Sequence, residues 1–196
     1  MSKPDPSGSR RERNRNIRWV ITIFLVTILV SGVISLLSDI IMENSSMAVA
    51  FLILLVIILV GIVFDVIGMA VATADEKPFH SMAARKVTGA HEAIALLRNA
   101  ERVSSICNDV VGDICGVVSG SASATIAVQI LRHFEFTWPQ MISLLMSALA
   151  AGLTVGGKAI GKTFAINSCT TIVHTVGKII HRLHCFTGIF KRKTNL

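Results

Sequence analysis

At 196 residues, 52% hydrophobic and only 16% charged, the chain is too apolar for a soluble domain of its size and too short for several domains. Its formal net charge of +7 does not call for nucleic acid. The basic residues gather beside apolar runs, where membrane topology and anionic lipid headgroups account for them.

Residues 1–16 are polar and rich in Pro, Ser and Arg, which predicts a disordered basic tail. The first apolar run, Ile17–Leu37, follows it. A cleaved signal peptide is the rival reading. The run exceeds the ~7–15 residues of a signal h-region, and no small-x-small site follows before Asp39, so a retained first helix is expected. Met47–Thr73 is the second run, and Met47–Phe64 within it has no charged residue. Pro78 then starts an amphipathic helix over 79–102, with Ser81–Ala100 as its body. Met82, Val87, Ala90, Ile94 and Leu97 recur at helical spacing, and Arg85, Lys86, Glu92 and Arg98 lie between them. Ile106–Leu131 and Trp138–Val155 are the third and fourth runs. Each run approaches or exceeds the ~20 residues needed to cross a hydrocarbon core once flanking small residues are counted. A second interfacial helix is expected over Thr163–Phe186, where Ile166, Ile172, Val173, Val176, Ile179, Ile180 and Leu183 alternate with Asn167, His174, Lys178, His181 and Arg182. The expected architecture is an all-α integral membrane bundle. It has four transmembrane helices in residues 17–162 and two cytoplasmic juxtamembrane amphipathic helices, the first over 79–102 and the second in a basic juxtamembrane helix and tail over 163–196.

Charge sets the expected orientation. Lys3, Arg10, Arg11, Arg13, Arg15 and Arg18 precede the first span, whereas Asp39 and Glu43 follow it. Lys77, Arg85, Lys86, Arg98 and Arg102 follow the second. Arg132 and Glu135 lie in the brief connection after the third, and Lys162, Lys178, Arg182, Lys191, Arg192 and Lys193 follow the fourth. By the positive-inside rule, both termini and the 76–102 segment face the cytoplasm of a multi-pass cell-membrane protein. Cys107, Cys115, Cys169 and Cys185 show no paired metal spacing and read as reduced packing residues.

Against this apolar background, Asp65 interrupts the second run, and Asn108, Asp109 and Asp113 interrupt the third. A carboxylate near the bilayer centre costs about 2.5–3.5 kcal/mol, so such groups face a bundle interior or a watery cavity, near a cation, a proton or a partner charge. Asn108, Gly112, Gly116 and Gly120 stand four apart, as a ladder that admits a close neighbour, and Asp109 and Asp113 flank it. Gly61, Asp65, Gly68 and Ala72 form a comparable stripe. Helices two and three are therefore expected to pack around a polar pocket. Its oxygen donors, Asp65, Asn108, Asp109 and Asp113, suit a hard cation such as Mg²⁺. The competing reading is that these acids pair with basic residues and only hold the bundle together.

Two further patterns carry less. Gly156-Gly157-Lys158-Ala159-Ile160-Gly161-Lys162-Thr163 matches the P-loop consensus by letters, but it follows an apolar helix rather than a strand, so nucleotide binding is not expected. His181 and His184 flank Arg182 with His174 nearby; a metal site needs more ligands. No nucleophile–base signature emerges, and the chain is not expected to be an enzyme.

Four stretches carry a resemblance: Phe64-Asp65-Val66-Ile67-Gly68-Met69-Ala70, the amphipathic segment Ser81–Ala100, Cys107-Asn108-Asp109, and Gly157-Lys158-Ala159-Ile160-Gly161-Lys162. In order, spacing and topology the chain from about Phe51 to Ile180 resembles the transmembrane domain of the CNNM/CorB magnesium-transporter family. That family has a small-polar stretch with Glu in its first core helix, Gly-Asn-Asn opening the next, and Gly-Glu-x-x-Pro-Lys ending the last. Here Gly68 and Lys158 replace the two Glu, Ile67 replaces a Ser and Gly161 the Pro, while one Asn is retained. The resemblance implies a homodimer that transports or binds a divalent cation, most simply Mg²⁺. Asp65 and Asn108 would be the first ligands, with Asp109 and Asp113 supporting. No counterpart of the family's cytoplasmic CBS pair is expected. The alternative is a structural or regulatory membrane subunit in which Lys158 fills the degenerate site.

Overall fold

Among the residues described by the computed structural model (6–43, 45–133 and 138–193), four helices are long and apolar enough to cross a membrane. They contain the spans Trp19–Ser38, Met47–Thr73, Ala100–Arg132 and Gln140–Asn167. Lys3 and Glu135 of the charge reading lie outside the described residues, as do the side chains at positions 6–16, 18, 39, 42, 43, 133, 139 and 185–193.

Helix α1 (Pro6–Glu43) takes in most of the expected basic tail, because no proline or glycine cluster after Gly8 interrupts the helical run. None of its most apolar window is buried. It leans on α6 (Asp113–His133) from outside, with Ser35 Oγ 3.5 Å from Ser121 Oγ. Its apolar side chains, such as Phe24, Leu29 and Leu36, are exposed, which is what lipid-facing residues require.

Helix α2 (Met47–Thr73) is the central element and touches α6, α7 (Pro139–Asn167) and α8 (Cys169–Lys193). Its buried face runs Ala50, Leu54, Ile58, Gly61, Asp65, Gly68, steps of three and four that trace one side of a helix. The outer half of that face joins Ala122, Ile126, Ala127 and Met146 in an apolar cluster within the bundle. The helix stops where Ala74 becomes extended, before the polar Asp75-Glu76-Lys77-Pro78.

The single amphipathic helix expected over 79–102 is broken into short pieces. Helix α3 (Lys77–Ala84) starts with Pro78 in its first turn, α4 spans Ala90–Arg98, and α5 (Ala100–Ser105) leads into the third span. The break has a backbone cause: Lys86 (φ 57°) and Gly89 (φ 85°) are both left-handed. The pieces form a belt around one end of the bundle. Phe79, Ala93, Ile94 and Leu97 pack there on Ala70 and Val71 of α2, Ala165 of α7 and Val173 of α8. The second expected amphipathic helix also shifts: α7 continues to Asn167, and α8 begins only at Cys169.

Candidate intramembrane ion-pair site

The second span carries Asp65 on its buried stripe, and the residue is 3% exposed. Apolar neighbours cannot solvate it, so its partners decide what the site is. They are lysines of α7. Lys158 Nζ lies 3.5 Å from Asp65 Oδ1, and Lys162 Nζ lies 3.9 Å from Oδ2. Lys158 also donates a hydrogen bond of 3.1 Å to the Gly112 carbonyl oxygen. Its side chain is 20% exposed, whereas that of Lys162, one turn nearer the belt, is 47% exposed.

Glycines make this approach possible. Gly112 ends a π-helical stretch (Ile106–Gly112) between α5 and α6, a wide turn of the kind often found at functional sites. A Cβ on Gly112 would sit 2.6 Å from Asp65 Oδ1 and 3.2 Å from Lys158 Nζ, filling the meeting point of acid and base. On α2, a Cβ at Gly61 would strike Cys115, and one at Gly68 would strike Asn108. On α7, a Cβ at Gly157 would strike Ile62, and one at Gly161 would meet Val66 at 2.8 Å. The expected close approach of helices two and three therefore holds at Gly61, Gly68 and Gly112. It does not extend to Gly116 and Gly120, which have nothing within 4 Å.

The four candidate ligands are placed differently. Asp65 is buried on its lysines. Asn108 is half-buried against Gly68, with Nδ2 donating to Ser104 Oγ at 3.2 Å and a buried Oδ1 that accepts no hydrogen bond. Asp109 is exposed and accepts from Ser105 Oγ at 2.8 Å. Asp113, one residue beyond Gly112, is also exposed. Among the described residues, no three His, Cys, Asp or Glu side chains are grouped to hold a metal ion. Asn108 and Asp109 instead line a cavity of about 350 Å³ with Ala72, Ala100, Glu101, Ser104 and Ser105. The expected chamber thus divides into a buried ion pair and a separate polar cavity toward the belt.

The sequence points to Lys158 as a counter-charge for the buried acid; Lys162, the Gly112 carbonyl and Glu101, which shares the cavity with Asp109, are added by the structure. The signal for Lys162 was present in Gly157-Lys158-Ala159-Ile160-Gly161-Lys162, which repeats Gly-Lys after four residues. All of Gly156–Thr163 lies within α7, where backbone N–H groups serve the helix rather than a phosphate loop.

Away from the bundle, two histidines dock α8 on the belt. His181 Nδ1 donates to Glu92 Oε1 at 2.6 Å, and His174 Nε2 donates to the Thr88 carbonyl at 3.3 Å. The hydrogen bond from His181 holds the Glu92 carboxyl below the usual range, ahead of the opposing effect of burial. Between these contacts the backbones of Gly89 and Gly177 touch: a Cβ at Gly89 would meet Lys178 N at 2.5 Å, and one at Gly177 would strike the Gly89 carbonyl. No protein-family model, curated protein or solved structure matches the chain significantly.

Proposed function

We propose that the chain is a non-transporting structural or regulatory membrane subunit of CNNM/CorB-like plan whose intramembrane site is filled by its own cation. The observation that carries this reading is the Lys158 ammonium between Asp65 Oδ1 and the Gly112 carbonyl. Those are the two oxygen types, carboxylate and backbone carbonyl, that a hard cation takes as ligands. A tethered ammonium with these contacts satisfies the buried acid and displaces a free ion from it. Both the position and the charge fit the replacement of the family's Glu by Lys158. The same reading places the protein in the cell membrane with both termini and the belt in the cytoplasm, supported by the basic charge bordering the spans. It also makes the protein a homodimer. Gly116 and Gly120 of α6 leave a small-residue face with exposed Asp113, which a second copy can cover.

One observation favours divalent cation binding or transport as a second reading. Asn108 Oδ1 is buried without a donor, and Asn108 lines a polar cavity with Glu101 and Asp109. Thermal unfolding in detergent with and without MgCl₂ separates the two. The lysine-filled site predicts no stabilisation of the wild type and an acquired Mg²⁺ response in Lys158→Glu. A wild-type response that disappears in Asp65→Asn or Asn108→Ala establishes the divalent site instead.

A further inference from the structure

The buried carboxylate faces two lysines four residues apart, and each lysine is preceded by a glycine that seats a branched side chain of α2. Gly157 takes Ile62, and Gly161 takes Val66. The lysines divide the carboxylate between them, Lys158 on Oδ1 and Lys162 on Oδ2. Moving α7 along α2 by four residues superimposes Gly161-Lys162 on Gly157-Lys158, while Ala165 and Ile166 take the places of Gly161 and Lys162, so one glycine seat and one ammonium are kept.

We propose that α7 has two registers against α2, one helical turn apart, in which Lys158 and Lys162 alternately occupy the seat formed by Asp65 and the Gly112 carbonyl. This inference rests on the lysine-filled reading above and supplies its regulatory movement. The step is about 6 Å, four residues at the helical rise, and packing fixes its direction. When α7 moves away from the belt, Gly157 comes opposite Ile58, Gly161 opposite Ile62, and Ala165 opposite Val66. Gly157 and Gly161 leave room for Ile58 and Ile62 in the second register, and Ala165 adds a single methyl in the place of Gly161, where the Val66 methyl has to yield because a Cβ there lies 2.8 Å from it. Moving toward the belt brings the bulky Leu153 to the place Gly157 now fills, where even a Cβ strikes Ile62, and uncharged Thr154 to the place of Lys158. Packed helices hold discrete registers rather than sliding continuously, so the two positions are separate states.

The present register is the one in which α8 is clasped. Helix α7 continues into α8 at Ser168–Cys169, and α8 is fixed to the belt at Gly89 and Glu92. Release of α8 is therefore the event that permits the shift. The charges agree with this: Lys162 is half-exposed at the rim, and Lys158 is the inner occupant.

Cysteine pairs at the far end of the bundle report the register with little change in volume. Ala50 and Met146 share the outer apolar cluster. Ala50→Cys with Met146→Cys marks the present register, and Ala50→Cys with Ala150→Cys marks the shifted one, in which Ala150 takes the place of Met146. The full chain is reconstituted in lipid vesicles, oxidised, and the linked peptides are identified by mass spectrometry, which separates them from products of the native cysteines. Both links are expected, the Ala50–Met146 link in greater yield. The Ala50–Ala150 link should rise several-fold in Lys158→Met, where Lys162 is the ammonium left beside Asp65 among the described residues, and fall to background in Lys162→Met. Absence of the Ala50–Met146 link overturns the starting register and the proposal with it. An Ala50–Ala150 link that never forms, or that ignores Lys162→Met, overturns the two-register proposal while leaving Lys158 as the counter-ion of Asp65. That contact is tested separately by the Mg²⁺ response of Lys158→Glu.

Discussion

Removing the Lys158 ammonium while keeping its apolar stem tests the energetics of the buried pair. In Lys158→Met the stem still packs, but Asp65, 3% exposed, loses its nearer cation and the Gly112 carbonyl loses a donor. Stranding one member of a buried ion pair costs about 3–5 kcal/mol. Lys162 remains 3.9 Å from the other carboxylate oxygen, and Lys158 is 20% exposed, so the expected loss falls to about 2 kcal/mol. Asp65→Asn should cost less, about 1 kcal/mol, because the freed lysine can extend its ammonium toward the belt end while its stem stays packed. The double variant carries neither charge, and its loss should be no larger than that of Lys158→Met alone. The coupling energy in a cycle of reversible unfolding in mixed micelles is therefore expected near 1 kcal/mol or above, favouring the pair. Losses that add to within about 0.5 kcal/mol would show that the two groups do not interact, and would refute the ion-pair account.

Three further outcomes follow from the geometry. Gly112→Ala places a methyl group 2.6 Å from Asp65 Oδ1, so it should destabilise the protein as much as Lys158→Met, and combining it with Asp65→Ala should recover part of the loss in the same unfolding assay. Gly89→Ala combines a left-handed backbone with contact on the Lys178 amide, and should strip hydrogen-exchange protection from α8 while leaving α2 protected. The Glu92 carboxyl is held low by His181, so its contribution to α8 docking is complete above the unfolded value of about 4.3 and is lost as pH falls through the lower folded value. Rate-corrected exchange of α8 should accelerate on acidification in the wild type, and this acid step should disappear in Glu92→Gln.

The spans were legible because lipid imposes a crude rule: a helix must stay apolar for about 20 residues, and Met47–Phe64 obeys it without exception. Asp65 stood out for the same reason. Its partner was harder to read, since Lys158 sits 93 residues away and the pairing depends on how α7 lies along α2. Gly-Lys repeated at four residues is the clue in the sequence, and the same letters also satisfy a phosphate-loop consensus. The break in the belt was missed because the apolar positions from Met82 to Leu97 keep helical spacing across it. Left-handed Lys86 and Gly89 interrupt the backbone between α3 and α4, and Asn99 (φ −114°, ψ 28°) interrupts it between α4 and α5; a lysine gives no warning of the left-handed conformation. The divergence of Asp109 and Asp113 from Asp65 has a related cause. They stand one and five residues from Asn108, and the wide turn of Ile106–Gly112 presents Asn108 and Gly112 to α2 while both acids are left exposed.

The central claim is that an ammonium of the chain itself, rather than a metal ion, balances the carboxylate of Asp65. Carbon–nitrogen dipolar recoupling between Asp65 Cγ and Lys158 Nζ, by solid-state NMR of the labelled protein in bilayers, measures that contact directly. A coupling that is present without Mg²⁺ and unchanged at saturating MgCl₂ is the predicted result. A coupling that is absent, or that vanishes when Mg²⁺ is added, contradicts it.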